Sequence, residues 1–362
     1  MGRIADELRW AWSKARRRLL AAAFVGVAAA AVVAGVLAAP RWAAWRRGAA
    51  PPANGGHRIE RIMADLFVRD ARLGYRNGAN LQQHERATLD GRMVYDVVYT
   101  TDALGWRATP QPASGPYDRF AIFAGCSFDF GAAVADNETF AARFAEDAVG
   151  RKIHVYNHSA IGWGPNHLLT LIEEPEYAQN IAEKRGLWIY LFMDHHVIRA
   201  RGDCDDHPRV RGNPCYRISH GRLQSYAGPQ VRDPSDAAAR LNAYLGEHFH
   251  GSHFDEYLGP RDRDLDLTAQ ILAETNRVFR QKFTADGFIV VCWPEYGRNC
   301  RALEERLAGS DIRFFQYHNL FKQYADNRDV IVDPLVDTHP NAVAFKLAAD
   351  ELYEDLAKVG LL

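Results

Sequence analysis

From Arg119 to the C-terminus, short apolar runs alternate with amphipathic stretches, and few architectures accept that order. The runs are Phe120–Ala124, Ile153–Tyr156, Leu187–Met193, Phe288–Trp293 and Ile312–Tyr317. Between and after them stand NETFAARFAEDAV, PNHLLTLIEE, LDLTAQILAETNRVFRQKF, NCRALEERLAG and NAVAFKLAADELYEDLAKVG. Strands alternating with helices predict an α/β domain around a mostly parallel, doubly wound sheet. Asn137 is expected to cap the first helix. Val343, Leu347, Leu352 and Leu356 are expected near one face of the last. Between the third strand and the next long helix lies an insertion, about 201–264, rich in polar residues, glycine and histidine.

The N-terminal part is of another kind. Leu19–Ala39 contains no charged residue and is long enough to cross a hydrocarbon core of about 30 Å as a helix. Arg3, Arg9, Lys14, Arg16, Arg17 and Arg18 precede it, and only Arg41, Arg46 and Arg47 follow closely. The positive-inside rule therefore places residues 1–18 in the cytoplasm and the rest outside, on a bacterial inner-membrane anchor facing the periplasm. A cleaved signal peptide ending near VLAAP is the rival reading. Residues 40–58 read as a linker and 59–118 as a small β-rich accessory segment, with a strand-forming run at Met93–Thr100 and a turn at Asp102–Gly105. The main domain is 119–362. The 362 residues carry 48% hydrophobic and 25% charged side chains and a net charge of -1, so charge gives no reason to expect a nucleic-acid partner.

Five cysteines fall as two local pairs, Cys204/Cys215 and Cys292/Cys300, with Cys126 left over. Each pair is placed to close a short loop, as disulfides do in an oxidising compartment; buried thiols are the plainer alternative. Neither pair has zinc spacing. The histidines of GEHFHGSHFDE (His248, His250, His253) read as a solvated loop, and no metal or cofactor is expected. Trp106 and Arg107 read as edge packing and a surface charge.

Chemistry gathers at the carboxyl ends of the strands, where open α/β sheets bind ligands. Ser127 follows the first strand in GCSFDFG. Asn157, Gly162 and Gly164 lie in the loop after the second, NHSAIGWG. Asp337 and His339 precede the last helix in DTHPN. Serine, histidine and carboxylate are the residues of nucleophilic acyl transfer: histidine takes the serine proton, and the carboxylate orients the histidine.

In these blocks, similar to the family's first, second and last, over about Phe120–Leu356, the chain resembles the SGNH/GDSL hydrolase superfamily. The resemblance implies a three-layer α/β/α, flavodoxin-like fold and metal-free ester hydrolysis or acyl transfer. Ser127 would be the nucleophile, His339 the base and Asp337 its orienting acid. The amides of Ser127 and Gly162 and a third-block side chain would form the oxyanion hole, with Asn157, Gly164 and Asp194 in support. The chain departs from the pattern twice. The third block, YLFMDHHVIR, has no asparagine, so His195 or His196 is the candidate third donor and Asp194 a brace. Asp-x-His replaces the frequent Asp-x-x-His, which keeps Asp333 as a reserve carboxylate. The expected function is an envelope-anchored serine esterase that removes an O-acyl group, expected to be acetyl, from a carbohydrate or lipid. Its alternatives are an O-acyltransferase acting on an envelope or exported polysaccharide, and a non-catalytic glycan-binding or scaffold protein. Protein partners and oligomeric state are not legible in the sequence.

Overall fold

The computed structural model describes residues 57–112, 115–200, 213–226, 262–294, 297, 299–324 and 329–362. The expected membrane span, nearly all of the linker, Cys204, the 248–253 histidines and most of the 201–264 insertion lie outside them. Among the described residues no helix is long and apolar enough to cross a membrane.

The chain from Ile59 onward forms one unit. It opens with β1 (Ile59–Ile62), β2 (Phe67–Asp70), β3 (Gly74–Asn77), β4 (Gln82–Leu89) and β5 (Arg92–Thr100). β1, β4 and β5 make a three-stranded antiparallel sheet, and β2 and β3 a hairpin. Alternation along β5 buries Tyr95, Val97 and Tyr99 and exposes Asp96 and Val98, as expected for a sheet with one face on a core.

The main domain follows: β6 (Arg119–Ala124), α1 (Ser127–Phe130), α2 (Phe140–Asp147), β7 (Ile153–Asn157), α3 (Pro165–Ile172), β8 (Arg185–Phe192), α4 (His195–Arg199), the hairpin β9 (Cys215–Ser219) and β10 (Arg222–Tyr226), α5 (Asp262–Lys282), β11 (Thr284–Cys292), α6 (Cys300–Arg306), β12 (Ile312–Gln316), β13 (Ile331–Asp333), β14 (Asp337–Pro340) and α7 (Ala342–Lys358). All five apolar runs are strands of one parallel sheet in the order β12-β11-β8-β6-β7. Counted along the chain this is the flavodoxin-like order 2-1-3-4-5, whose switch point lies between β6 and β8.

Both faces of the sheet are covered. Phe120 and Ile122 of β6, Trp188 and Tyr190 of β8, and Phe288 and Val290 of β11 share a core with α3 and α5. Their neighbours Ala121, Phe123, Leu187, Ile189, Ile289 and Val291 share the opposite core with α2 and α7. Period-two alternation thus builds the three layers, and apolar residues at every position satisfy both.

Three local expectations are corrected. Thr139, not Asn137, caps α2: residues 136–138 form a 3₁₀ turn first, and Thr139 Oγ1 accepts from Ala142 N at 3.1 Å. Leu352 and Leu356 are buried as expected, but Val343 is 44% exposed, because Asn341 caps α7 and sets a phase that buries Phe345 and Ala349 at that end. Arg107 is no surface charge. Its guanidinium is fully enclosed between the rings of Tyr99 and Phe130, 4.5 and 4.6 Å from their centroids, and pairs with Asp136 at 2.8 Å.

Candidate active site

The turn after β6 places Ser127 at the first position of α1, directly at the switch point. Its amide belongs to the first helical turn, where N–H groups have no acceptor within the helix. Gly125 must be glycine: a Cβ there would lie 1.8 Å from Asp129 Oδ2. At the far end of α1, Gly131 N donates to Phe128 O and Ser127 O.

Ser127 Oγ–H donates to His339 Nε2 at 2.8 Å, and His339 Nδ1–H donates to Asp337 Oδ1 at 2.6 Å. The same Asp337 oxygen accepts from His339 N at 2.9 Å. This explains why the short Asp-x-His spacing suffices: an aspartate side chain reaches the amide two residues on, and here that turn carries the imidazole with it. The ring of Phe128 lies 5.3 Å from that of His339 and 5.7 Å from Trp293. Burial by itself would raise the Asp337 carboxyl. The His339 side chain and amide, with the Arg61 charge beyond them, outweigh it and hold Asp337 below the usual carboxylate range. Asp333 does not serve the histidine. Its Oδ1 accepts from Leu335 N and Val336 N, and Oδ2 pairs with Arg92.

Asn157 braces α1: its Nδ2 donates to Asp129 O at 2.7 Å. Gly162 has φ +87°, and a Cβ there would meet the Tyr75 hydroxyl at 2.6 Å; that hydroxyl donates to Ile161 O. Gly164 N donates to His167 Nδ1 at the start of α3. After β8, Asp194 Oδ1 accepts from Asn299 N at 3.0 Å, His195 is half-buried, and His196 is enclosed with its Nδ1 2.6 Å from the Tyr190 hydroxyl. Cys292 and Cys300 form the expected disulfide. Cys126 is buried with Sγ 3.6 Å from Met193 Sδ, and burial pushes its thiol up.

Asp129 is the group that sequence reasoning passed over. It is fully buried under the nucleophile turn, and burial raises its carboxyl well above the usual range despite the Cys126 and Leu191 amides nearby. It stands two residues after Ser127, where a chain-order pattern gives no sign of which way a side chain turns.

Three imidazoles, His158, His167 and His196, are fully enclosed. Burial depresses His158 and His167 to about 3, and His196 well below the ordinary 6.5. Their folded values lie below their unfolded ones, so the unfolded chain takes up protons first as pH falls. The stability they confer is complete above about pH 6.5 and is lost below it, at about 1.4 kcal/mol per pH unit for each histidine. Urea unfolding at pH 7, 6 and 5 is expected to show a steep decline before most carboxylates titrate; a flat profile over that interval contradicts it.

No family model matches the chain, and no curated protein matches it. Among solved structures it is similar to the acetyl xylan esterase Est2A from the rumen bacterium Butyrivibrio proteoclasticus (12% identity, TM-score 0.40, 84% of this chain and 99% of that one). It is also similar to a family two carbohydrate esterase from Clostridium thermocellum (11%, TM-score 0.39, 69% and 67%) and to the salicylyl-acyltransferase SsfX3 from a tetracycline biosynthetic pathway (12%, TM-score 0.37, 80% and 61%). Likeness this distant carries no weight for fold or chemistry; both rest on the chain's own geometry. With its 2-1-3-4-5 parallel sheet covered by helices on both faces, the protein has a flavodoxin-like α/β/α fold that presents Ser127 at the carboxyl end of β6.

Proposed function

We propose that the protein is a serine esterase acting through Ser127, His339 and Asp337 on a small O-acyl ester, expected to be acetyl, of a carbohydrate or lipid. The observation that carries this reading is the unbroken chain Ser127 Oγ–His339 Nε2 (2.8 Å) and His339 Nδ1–Asp337 Oδ1 (2.6 Å). Ser127 Oγ attacks the acyl carbonyl carbon as its proton passes to Nε2. The tetrahedral oxyanion collapses, and the leaving alkoxide takes the proton from His339. Water, deprotonated by the same nitrogen, then attacks the acyl-serine and releases the acid. Asp337 stays ionised and stabilises the imidazolium. The amides of Ser127 and Gly162 are the proposed oxyanion donors. His195 is favoured over His196 as the third, because Tyr190 holds His196 in the core. Ser127 is only 6% exposed, which favours a small acyl group.

The extracytoplasmic, membrane-anchored placement remains part of the proposal. It is supported by the charge asymmetry around Leu19–Ala39 and by the Cys292–Cys300 disulfide, a bond that oxidising compartments maintain. The test is the full-length chain in detergent with p-nitrophenyl acetate, with and without a polysaccharide acceptor. Nitrophenolate and acetate released in a Ser127-dependent way are the expected result. Acetylated polysaccharide in place of acetate would instead mark a transferase, and turnover unaffected by loss of Ser127 would remove the nucleophile assignment.

A further inference from the structure

We propose that the accessory sheet is a working part of the active site: Arg61 and Arg92 are positioning residues that grip the β13–β14 hairpin and so set the Asp337–His339 pair against Ser127. This rests on the catalytic reading above.

The hairpin has little to hold it by itself. β13 and β14 are three and four residues long, with Ile331 opposite Pro340, Asp333 opposite Asp337 and an irregular register between them. Two short strands are at best marginally stable in water, so their position must come from outside. From the α7 side, Asn341 Nδ2 donates to Asp329 O and Ile331 O. The opposite side is held by the accessory sheet. Arg61 of β1 donates through Nη2 to Val336 O, the carbonyl immediately before Asp337. Arg92 of β5 donates through Nη2 to Asp333 Oδ2 at 3.1 Å, while Asp333 Oδ1 accepts from Leu335 N and Val336 N. Val336 is buried with Leu89, Tyr95 and Phe130, the last residue of the nucleophile helix. One small core thus joins sheet, hairpin and α1, and two cations fasten Asp333 and Val336, at either end of the turn that leads into Asp337.

Arg92 is 64% exposed, and an exposed ion pair of this kind adds little to global stability. Its placement matters more for geometry, because misplacing a catalytic group by about 1 Å costs up to roughly 100-fold in rate. Each arginine uses one nitrogen, so lysine can supply the same single donor.

The experiment uses the full-length chain in detergent and the variants R61Q, R92Q, R61Q/R92Q, R61K/R92K and S127A. Three quantities are measured: the rate at which a fluorophosphonate labels Ser127, kcat and KM on p-nitrophenyl acetate, and the melting temperature. We expect R61Q/R92Q to lose about 10- to 100-fold in labelling rate and kcat, with KM within about twofold and an unchanged melting temperature. R61K/R92K is expected to recover most of the loss. The proposal is overturned if R61Q/R92Q labels and turns over like wild type, or if every loss is accompanied by a matching loss of folded protein, which would make the contacts merely structural. S127A labelled or active like wild type would sink the catalytic reading itself, a separate outcome.

Discussion

Replacing Ser127 by alanine is expected to lower kcat/KM on an aryl acetate by on the order of 10⁴-fold or more. The loss is large because, among the described residues, Ser127 is the nucleophile the base addresses: His339 Nε2 faces its oxygen at 2.8 Å, and Asp337 is committed to the far side of the ring. Stability should not fall with activity, since the hydroxyl is a single polar group whose hydrogen bond is to His339. His339→Ala should cost a comparable factor, and Ser127→Ala/His339→Ala little more than either alone, because the pair acts as one unit. Initial rates for the three proteins decide this. Losses that multiply would show that serine and histidine act independently.

The largest expected effect on stability comes from Asp136→Ala. Arg107 lies wholly inside the protein, and Asp136 at 2.8 Å is its counter-charge. Burial presses the guanidinium toward losing its proton, and Asp136 is the strongest influence restoring it. Removing the carboxylate leaves a buried cation between Tyr99 and Phe130 with, among the described residues, the Val134 carbonyl to accept from it. A broken buried pair of this kind costs about 3–5 kcal/mol; Asp136 is 22% exposed, so the lower end is expected. In a unit of about 300 residues this corresponds to a fall in melting temperature of roughly 5 °C. Arg107→Met/Asp136→Ala should recover much of it, because the charge is then gone from both sides. Denaturant midpoints for the single and double variants test this; an Asp136→Ala protein as stable as wild type would mean that the pair does not hold the accessory sheet to α1. Phe130 and Ala133 also touch that sheet's core, so activity is expected to drop with stability.

Much of the main domain was legible because its signals are local. Each of the five apolar runs is a strand, with ends displaced by at most four residues. A strand buried on both faces leaves an uninterrupted apolar word that reads the same whatever its neighbours are. The Cys292–Cys300 bond was legible for the same reason, its partners being close in sequence. The α2 cap was read two residues early, at Asn137, and Val343 was read onto the buried face, since a 3₁₀ turn and a helical phase depend on backbone angles that composition does not specify. Arg107 was misread altogether. A charge enters a core only where partners from elsewhere meet it, and Asp136, Tyr99 and Phe130 come from three separate elements.

By itself, the sequence determined which groups were available for acyl chemistry: a serine after a strand, glycines in the next loop, and Asp-x-His before the last helix. It also determined that strands and helices alternate, which places such groups at one end of a sheet. Only the tertiary structure decided that Asp337 rather than Asp333 meets His339, that Asn157 is spent on α1, and that Asp129 lies beneath the serine. The physical reason is range. Strand and helix preferences act over a few neighbours, whereas Ser127 and His339 stand 212 positions apart and are brought within a hydrogen bond by packing. The accessory sheet, which no motif connects with catalysis, reaches the same hairpin from the far end of the domain by side chains alone.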